Sequence, residues 1–570
     1  MNNMTQNQAY LYSNEEPSNS QKSRMIEFLK DKHNISELIF VKDKSITAGF
    51  RLIAGSKEYD WTGEGRLKQF KASLDEIKFE KDVIPLIKEK IDNFSSEVTG
   101  TDIGRVITVS DDIATVSGLD GAKYGEILLF ENGIKGLVQD LKEDEIGCIL
   151  FDEGDDISQG GFVRRSGKVA GMPVGDNFIG RVTDALGNPI DGLGDIEADD
   201  YRPIERPAPG IVERQPVNTP IETGIITIDT MFPIGRGQRE LIIGDRQTGK
   251  TTIAVDTILN QKDKDVICIY VAIGQKASSV ASTVNTLKSF GAMDYTTVIS
   301  STAADPDPLK YIAPYAGCAL GEYFMEKGKD VLIIYDDLSK HADAYRTLSL
   351  LLGRSPGREA YPGDIFYLHS RLLERSAHLS DELGGGSLTA IPIVETQAGD
   401  VSAYIPTNVI SITDGQIFLE TGLFFSGQRP AVNVGISVSR VGGDAQAKIV
   451  KNTCKSLKIE LAQYQEKSVF NKFSSDLDEE TKQSLQFGES LMMIMRQKQH
   501  TPLSRHRIVI IMTAALGRKF AGLTFAETEK LSNEICSGFE QEYDSLCKKI
   551  DEKGILTQEE TDTLKNYIFA

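Results

Sequence analysis

A short glycine-rich run constrains this chain more than any other feature: Gly244-Asp245-Arg246-Gln247-Thr248-Gly249-Lys250-Thr251. It matches G-x-x-x-x-G-K-[ST], with the apolar run Leu241 to Ile243 before it and a helix-forming stretch from Thr252 after it. In a strand, loop and helix of this kind, backbone N–H groups and the positive end of the helix cradle phosphates. The run therefore predicts a P-loop α/β core that binds a nucleoside triphosphate.

Two further positions complete the predicted phosphate and metal site. Lys250 is expected to meet the β- and γ-phosphates, and the Thr251 hydroxyl is expected to ligate Mg²⁺. The apolar stretch Val331 to Tyr335 ends in Asp336 and Asp337, which is typical of the strand that brings a carboxylate to the metal ion. We therefore predict that Thr251 and Asp336 lie together at a magnesium site.

The chain of 570 residues is long enough for several domains, and its patterning changes along its length. Short alternating strands precede the P-loop region, continuous apolar runs such as Val266 to Ala272 indicate strands buried on both faces, and the end of the chain is patterned as helices. The predicted organisation is a multidomain α/β protein: a disordered tail over 1–21, a small α/β segment over 22–78, a connector helix over 79–98, a β-barrel over 99–170, a RecA-like P-loop nucleotide-binding α/β domain over 171–443 and a helical domain over 444–570.

Composition excludes several classes of protein. A formal net charge of −20 argues against a nucleic-acid binder, which needs Lys and Arg to neutralise phosphates. No apolar run approaches the roughly 20 residues of a membrane helix. The six cysteines are scattered without metal-ligand or paired spacing, so we expect free thiols.

Two other groups of residues carry little information by themselves. Arg440 follows the strand-like run Gly435 to Ser439, and its pattern alone indicates a structural ion pair. Gln497 and Gln499 lie on a helical stretch and resemble ordinary exposed polar residues.

Several segments nevertheless closely resemble one family, the α subunits of F-type ATP synthases. They are Pro233 to Glu240 leading into the loop, Tyr270 to Lys276, Ile334 to Lys340, Gly357 to Asp364, Asp400 to Asp414 and Ser437 to Arg440. The resemblance covers about Phe79 to Ala570. It implies a chain that binds ATP or ADP with Mg²⁺ and assembles as three α and three β subunits around a γ shaft. Contacts with the δ and b stator subunits, and a peripheral position on the cytoplasmic side of a bacterial inner membrane, are also implied.

The resemblance also implies roles for individual residues. In catalytic relatives a Glu polarises the attacking water, and the matching residue here is Gln275, whose neutral amide cannot accept a proton near pH 7. Arg440 matches an arginine finger that acts on the neighbouring β subunit, and Ser437 matches a position required for activity. Gln247, Phe424, Arg429, Gln497 and Gln499 match the lining of the nucleotide pocket, the last two near the adenine. The resemblance thus implies a site that holds nucleotide without turning it over.

The segment from about Ser23 to Ile77 departs from this family. Ser45 to Arg51 and Tyr59 to Leu67 resemble the C-terminal domain of the synthase δ subunit. The alternative is an unrelated N-terminal extension. If the resemblance holds, the chain is a δ–α fusion and part of the stator link is covalent.

Two other classes of protein share the P-loop. A self-contained hexameric motor, either an export ATPase or an RNA translocase, would need its own general base or a basic surface, and Gln275 and the acidic charge oppose these. A scaffold that has lost nucleotide binding is opposed by intact Lys250, Thr251 and Asp336.

Overall fold

The computed structural model describes residues 8–67, 69, 100–152, 156–471 and 479–570. The predicted connector helix over 79–98 lies outside these residues. The chain divides into two compact units, Met1–Ala170 and Gly171–Ala570. Among the described residues, no helix is long and apolar enough to cross a membrane. All six cysteines are free thiols and buried, as predicted.

The first unit begins with a small α/β module. Its elements are β1 Gln8–Ser13, α1 Asn19–His33, β2 Glu37–Lys42, β3 Arg51–Ala54 and β4 Lys57–Asp60. Ser18 is the N-cap of helix α1, and its side chain forms a capping box with Gln21. The helix packs Leu29 into a buried cluster with Leu11 and Leu52. The module therefore has a core of its own.

This module corrects the expectation of a disordered tail over 1–21. Residues 8–13 form a strand, and residues 19–21 form the first turn of α1. The polar composition was misleading for two reasons. Ala9 and Leu11 supply enough apolar surface for one buried strand face, and Ser18 and Gln21 are polar because they cap a helix.

Six further strands of the first unit form the predicted β-barrel. They are β5 Gly100–Ser110, β6 Ile113–Ser117, β7 Glu126–Phe130, β8 Lys135–Leu141, β9 Ile146–Leu150 and β10 Phe162–Val169. They pair in the order β10-β7-β8-β9-β6-β5, and an antiparallel pairing of β10 with β5 closes the barrel. Val116, Leu128 and Val138 lie among the side chains that fill its interior.

The module and the barrel share one sheet. Strand β4 pairs antiparallel with β5, with Lys57 opposite Asp102, and the order continues outward as β4-β3-β1-β2. Two ion pairs reinforce this junction: Lys57 with Asp102, and a bidentate pair between Arg164 and the buried Glu58 at 2.5 and 2.7 Å. Continuous backbone pairing joins the module to the barrel directly.

The second unit is built on an eight-stranded sheet. The strands of this unit are β11 Gly171–Val174, β12 Val182–Thr183, β13 Asp200–Pro203, β14 Pro220–Ile221, β15 Ile234–Gly235, β16 Leu241–Gly244, β17 Val266–Gln275, β18 Thr296–Thr302, β19 Asp330–Asp336, β20 Ser387–Glu395, β21 Gly415–Leu419 and β22 Val438–Ser439. Strands β11 and β13 form a separate pair, as do β14 and β15, and the other eight form the large sheet. The central order is β12-β18-β17-β19-β20-β16-β21-β22, and every pairing except β21 with β22 is parallel. The continuous apolar runs seen in the sequence are its buried strands, as predicted.

Helices cover this sheet: α2 Ile226–Met231, α3 Lys250–Leu259, α4 Ala277–Ser289, α5 Asp307–Glu326, α6 Leu338–Leu351, α7 Ile365–Leu373, α8 Tyr404–Ile412 and α9 Thr421–Phe425. The almost fully buried α5 lies directly on the central strands. A Cβ at Gly317 would come within 2.5 Å of Val271 Cγ2, so glycine permits this close approach.

The chain ends in the predicted helical domain. Its helices are α10 Lys448–Thr453, α11 Leu457–Asn471, α12 Glu479–Ile494, α13 Arg505–Leu516, α14 Phe525–Glu542, α15 Asp544–Lys553 and α16 Gln558–Phe569. Helix α13 contributes Ile508 to Met512 to a core shared with its neighbours. The same apolar cluster continues into the sheet through Ile242 and Ile334.

Candidate nucleotide-binding site

The glycine-rich run forms a loop between a buried strand and a helix. Strand β16 lies between β20 and β21 in the sheet, and α3 begins at Lys250. Two loop residues have left-handed backbone conformations, Gln247 at φ 62° and Gly249 at φ 94°. The second suits glycine, which has no Cβ penalty there. The loop thus opens at the carboxyl end of a parallel strand, where α/β sheets bind ligands.

Lys250 lies inside the loop and is 7% exposed. Its Nζ donates to the carbonyl oxygens of Gly244 at 2.9 Å and Asp245 at 2.7 Å. Burial lowers the pKa of Lys250, while nearby carboxylates, Glu395 first among them, act in the opposite direction. The amine is therefore held at the loop by weak carbonyl acceptors that a phosphate could replace.

Asp336, on the predicted metal side of the cavity, accepts hydrogen bonds from three side chains. Its Oδ2 accepts hydrogen bonds from Thr251 Oγ1 at 2.7 Å and Tyr270 Oη at 2.8 Å, and its Oδ1 accepts one from Gln275 Nε2 at 2.9 Å. Burial raises the pKa of Asp336, and the Thr251 and Tyr270 hydroxyls partly offset that rise. The structure thus brings Thr251 and Asp336 together at one edge of the sheet and places Gln275 beside them.

The next residue, Asp337, caps a helix and does not bond to the loop threonine. Burial first and the adjacent Asp336 second raise the pKa of Asp337 to about 7. Its side chain accepts a hydrogen bond of 2.8 Å from the backbone N–H of Lys340 and caps α6. Of the two carboxylates, only that of Asp336 bonds to Thr251 of the loop.

These groups open into a cavity of about 1140 Å³. Among the predicted site residues, those that line it are Gln247, Thr248, Gly249, Lys250, Thr251, Gln275, Asp336, Phe424, Arg429, Gln497 and Gln499. Gly244, Asp245 and Arg246 belong to the loop but do not line the cavity. Arg246 is exposed and pairs with Glu395 at 2.9 Å.

One wall of the cavity is aromatic and cationic, and it begins beside Gly249 of the loop. The guanidinium of Arg429 lies 4.4 Å from the centre of the Phe424 ring. The amide of Gln497 is occupied by the protein, because its Oε1 accepts from Ile226 N–H and its Nε2 donates to the carbonyls of Gly224 and Thr501. Gln497 therefore shapes this wall while its own polar atoms are already bonded.

Ser437 and Arg440 lie away from this cavity. Ser437 is 4% exposed, and its Oγ accepts a hydrogen bond of 3.0 Å from Phe418 N–H. Arg440 is exposed, and its backbone N–H donates to Asp414 O at 2.8 Å just after β22. Across the part of the chain that the structure describes, the Arg440 side chain forms no hydrogen bond or ion pair.

Comparison with known proteins identifies the family. Three family models match consecutive parts of the chain: the ATP synthase alpha/beta β-barrel domain over 101–167, the nucleotide-binding domain over 224–439 and the C-terminal domain over 446–570. A protein of Caldanaerobacter subterraneus named ATP synthase subunit alpha is 57% identical over 485 residues, which are 85% of this chain and 96% of the relative. The chain belongs to the ATP synthase alpha subunit family. Similarly named proteins of Acetivibrio thermocellus, 57% identical over 85% of this chain and 96% of the relative, and Clostridium botulinum, 56% identical over 84% and 95%, agree.

The alpha subunit relatives do not account for the whole chain. Alignments that cover almost all of each relative leave about 15% of this chain unmatched. The first family-model match begins at residue 101. The module formed by β1 to β4 and α1 precedes that match, and its resemblance to a δ subunit stays a prediction.

Sequence reasoning missed several residues of the alpha subunit's cavity. They include Ile226, Pro430, Met493, Arg496 and Thr501. Tyr270, which donates to Asp336, was also missed. Apolar and hydroxyl residues of this kind carry no motif of their own, because only the folded chain brings them to the loop.

Proposed function

We propose that this chain is the non-catalytic, nucleotide-binding alpha subunit of a proton-translocating F1Fo ATP synthase. One observation carries the non-catalytic part of the proposal. Gln275 donates its amide N–H to Asp336 at 2.9 Å, at the place where a catalytic relative needs a carboxylate base. An amide can hold this geometry but cannot take a proton from water near pH 7. The site therefore binds nucleotide and does not hydrolyse it.

The cavity suits a nucleoside triphosphate with Mg²⁺. Lys250 and the loop N–H groups face the phosphate end, and Phe424 and Arg429 form a wall that begins beside the loop. The Thr251 hydroxyl and the Asp336 carboxylate are hard oxygen ligands, and Mg²⁺ typically takes only one or two such protein ligands beside phosphate oxygens and water. Bound Mg²⁺ would neutralise phosphate charge at this end of the cavity.

The arrangement around Arg440 supports a role in another subunit. The β22 pairing and the hydrogen bond to Asp414 fix its backbone, while its exposed guanidinium is available to a neighbouring chain. We propose that Arg440 acts as an arginine finger in the catalytic site of an adjacent β subunit within an α3β3 ring around γ. The complex would lie peripherally on the cytoplasmic side of a bacterial inner membrane.

Binding and turnover of ATP by the purified chain test the first proposal. We expect MgATP binding by calorimetry and negligible phosphate release. The matched variant Lys250→Ala should lose binding, because the amine at the loop is removed. Robust hydrolysis by the wild-type chain, abolished by Lys250→Ala, would show that the site is catalytic after all.

Activity of the reconstituted complex tests the role of Arg440. Arg440→Ala should leave MgATP binding by the isolated chain within about twofold of wild type, yet lower ATP hydrolysis by the complex about 10³-fold, as expected for loss of an arginine finger. Arg440→Lys should retain the charge but not the fork geometry, so it should also be impaired. Full activity of the alanine variant in a correctly assembled complex would refute the role.

We further propose that the N-terminal module supplies a δ-like part of the stator link. The shared sheet and the ion pair between Arg164 and the buried Glu58 would transmit load from the module to the barrel. Glu37→Cys on the edge strand β2, exposed in this chain, permits short-range cross-linking in the assembled complex. Adducts with a stator component are expected, and native mass spectrometry would identify any separate δ subunit. Adducts with α and β subunits alone would contradict the proposal.

A further inference from the structure

Asp245 lies within the phosphate loop, but its carboxylate bonds to two other segments of the chain. Its Oδ1 accepts hydrogen bonds from Thr396 Oγ1 at 2.6 Å and Gly399 N–H at 2.8 Å, in the segment that follows β20. Its Oδ2 accepts one of 2.8 Å from Thr421 Oγ1, at the first residue of α9. Three donors from two segments thus converge on one side chain.

Helix α9 also carries the aromatic wall of the cavity. Phe424 lies one turn beyond Thr421, and its Cε2 is 3.7 Å from the position that a Cβ on Gly249 would take. The Phe424 ring also lies against the guanidinium of Arg429, whose backbone carbonyl accepts a hydrogen bond of 2.8 Å from Gln497 N–H. A continuous chain of contacts therefore runs from the phosphate loop through Thr421 and Phe424 to Gln497.

We infer that Asp245 is a positioning residue that couples the phosphate loop to the cavity wall formed by Phe424 and Arg429, so that loop and wall keep a fixed separation. This inference rests on the proposed nucleotide-binding function. The coupling acts through the Asp245–Thr421 hydrogen bond, because that bond joins the loop side chain directly to α9. The bonds to Thr396 and Gly399 instead anchor the loop to the segment after β20.

The electrostatics agree with this role. Burial acts to raise the pKa of Asp245, but the three hydrogen bonds and the nearby Lys250 outweigh it and lower that pKa overall. The side chain is therefore a carboxylate at neutral pH, and hydrogen bonds to a charged acceptor are stronger than neutral ones. Such bonds are suited to holding a loop at one distance from a helix.

Two probes separate this role from a general effect on the loop. ATP carries phosphates for the loop and an adenosine that would reach the wall formed by Phe424 and Arg429, whereas inorganic tripolyphosphate carries phosphates alone. Thr421→Val removes the donor to Asp245 while keeping the side-chain shape. Thr407→Val on α8 is the matched control, because the Thr407 hydroxyl donates to the carbonyls of Ala403 at 2.8 Å and Val401 at 3.4 Å, which lie just before α8 and not in the loop.

Binding of both probes with Mg²⁺ should be measured by calorimetry on the full chain, with melting temperatures recorded without nucleotide. Thr421→Val should weaken ATP binding about tenfold and tripolyphosphate binding less than about twofold, the loss expected for one hydrogen bond to a charged group. Thr407→Val should change neither. Asp245→Ala should weaken both probes, because the loop then also loses Thr396 and Gly399.

The outcomes distinguish the possibilities. Equal weakening of ATP and tripolyphosphate by a folded Thr421→Val chain would overturn the coupling, and so would no change in either. Wild-type affinity of Asp245→Ala for both probes would overturn the positioning role. If the wild-type chain binds neither ATP nor tripolyphosphate, the proposed nucleotide-binding function is wrong. That result needs no variant, so it is distinct from a failure of the Asp245 coupling.

Discussion

Thr251→Val isolates the contribution of a single hydroxyl at the metal side of the cavity. Valine has nearly the shape of threonine, so packing is kept while the hydrogen bond of 2.7 Å from Thr251 Oγ1 to Asp336 Oδ2 is lost. Asp336 is only 3% exposed, but it retains the donors Tyr270 and Gln275. The nucleotide-free chain should therefore lose only about 1 kcal/mol of unfolding free energy, the net value of one hydrogen bond.

The effect on metal-dependent binding should be larger. Without the hydroxyl, Mg²⁺ loses one of its two proposed protein ligands. We expect the Mg²⁺-dependent part of ATP affinity to fall by about 2 kcal/mol, or about thirtyfold in Kd, the scale of one polar contact to a charged group. Affinity for ATP in excess EDTA should stay within about twofold, because Lys250 and the loop N–H groups are untouched.

Calorimetric titrations with ATP in Mg²⁺ and in EDTA give both numbers for each variant. Thr251→Ser is the matched control, since it retains the hydroxyl and should retain most of the Mg²⁺ effect. A Thr251→Val chain whose affinity responds to Mg²⁺ as strongly as the wild type would refute the assignment of Thr251 as a metal ligand.

Two further predictions concern stability. Glu322→Leu should destabilise the second unit by about 3–5 kcal/mol, because it leaves the 1% exposed Arg375 side chain without its carboxylate partner. Urea unfolding followed by circular dichroism measures this loss. The double variant Glu322→Leu with Arg375→Met should recover most of the lost stability, and failure to recover it would indicate a packing effect instead. Burial lowers the pKa of His506, but hydrogen bonds with Asp551 and Glu540 outweigh it and raise that pKa overall. The stability this contributes is full below the unfolded pKa of about 6.5 and is lost as pH rises through the folded value, so melting temperatures should fall in that window for wild type and stay flatter for His506→Gln.

Local sequence predicted the parts of the site that repeat in every protein with this loop. The pattern from Gly244 to Thr251 requires a strand before it and a helix after it, and both are present as β16 and α3. The strand that ends at Asp336 was also predictable from local sequence, because a continuous apolar run followed by a carboxylate is typical of a buried strand beside a phosphate loop. Because the parallel strands of one sheet bring their carboxyl ends to the same edge, Thr251 and Asp336 meet there although β20 lies between β16 and β19.

The cavity wall that contains Phe424, Arg429 and Gln497 could not be predicted from local sequence. Gln497 lies far along the chain from the loop, and its sequence surroundings resemble any exposed helix. Only the family resemblance placed it near the nucleotide. The structure adds that its amide is already bonded to Gly224, Ile226 and Thr501, a detail that depends on backbone groups from two distant segments.

At the N-terminus, the sequence analysis predicted disorder where the structure has ordered elements. Polar composition predicted disorder up to residue 21, yet one strand and a capped helix form there because neighbouring strands supply the partners. Strand formation is decided by long-range pairing, which composition does not report.

The sequence by itself therefore determined the phosphate loop and the buried strands that flank it, because each depends on residues close together in the chain. Tertiary structure alone decided which distant side chains hold that loop. Asp245 reads as one residue of a motif in the sequence. In the folded chain it joins the loop to Thr396, Gly399 and Thr421, since hydrogen-bond partners more than 150 residues away are set by how the strands assemble.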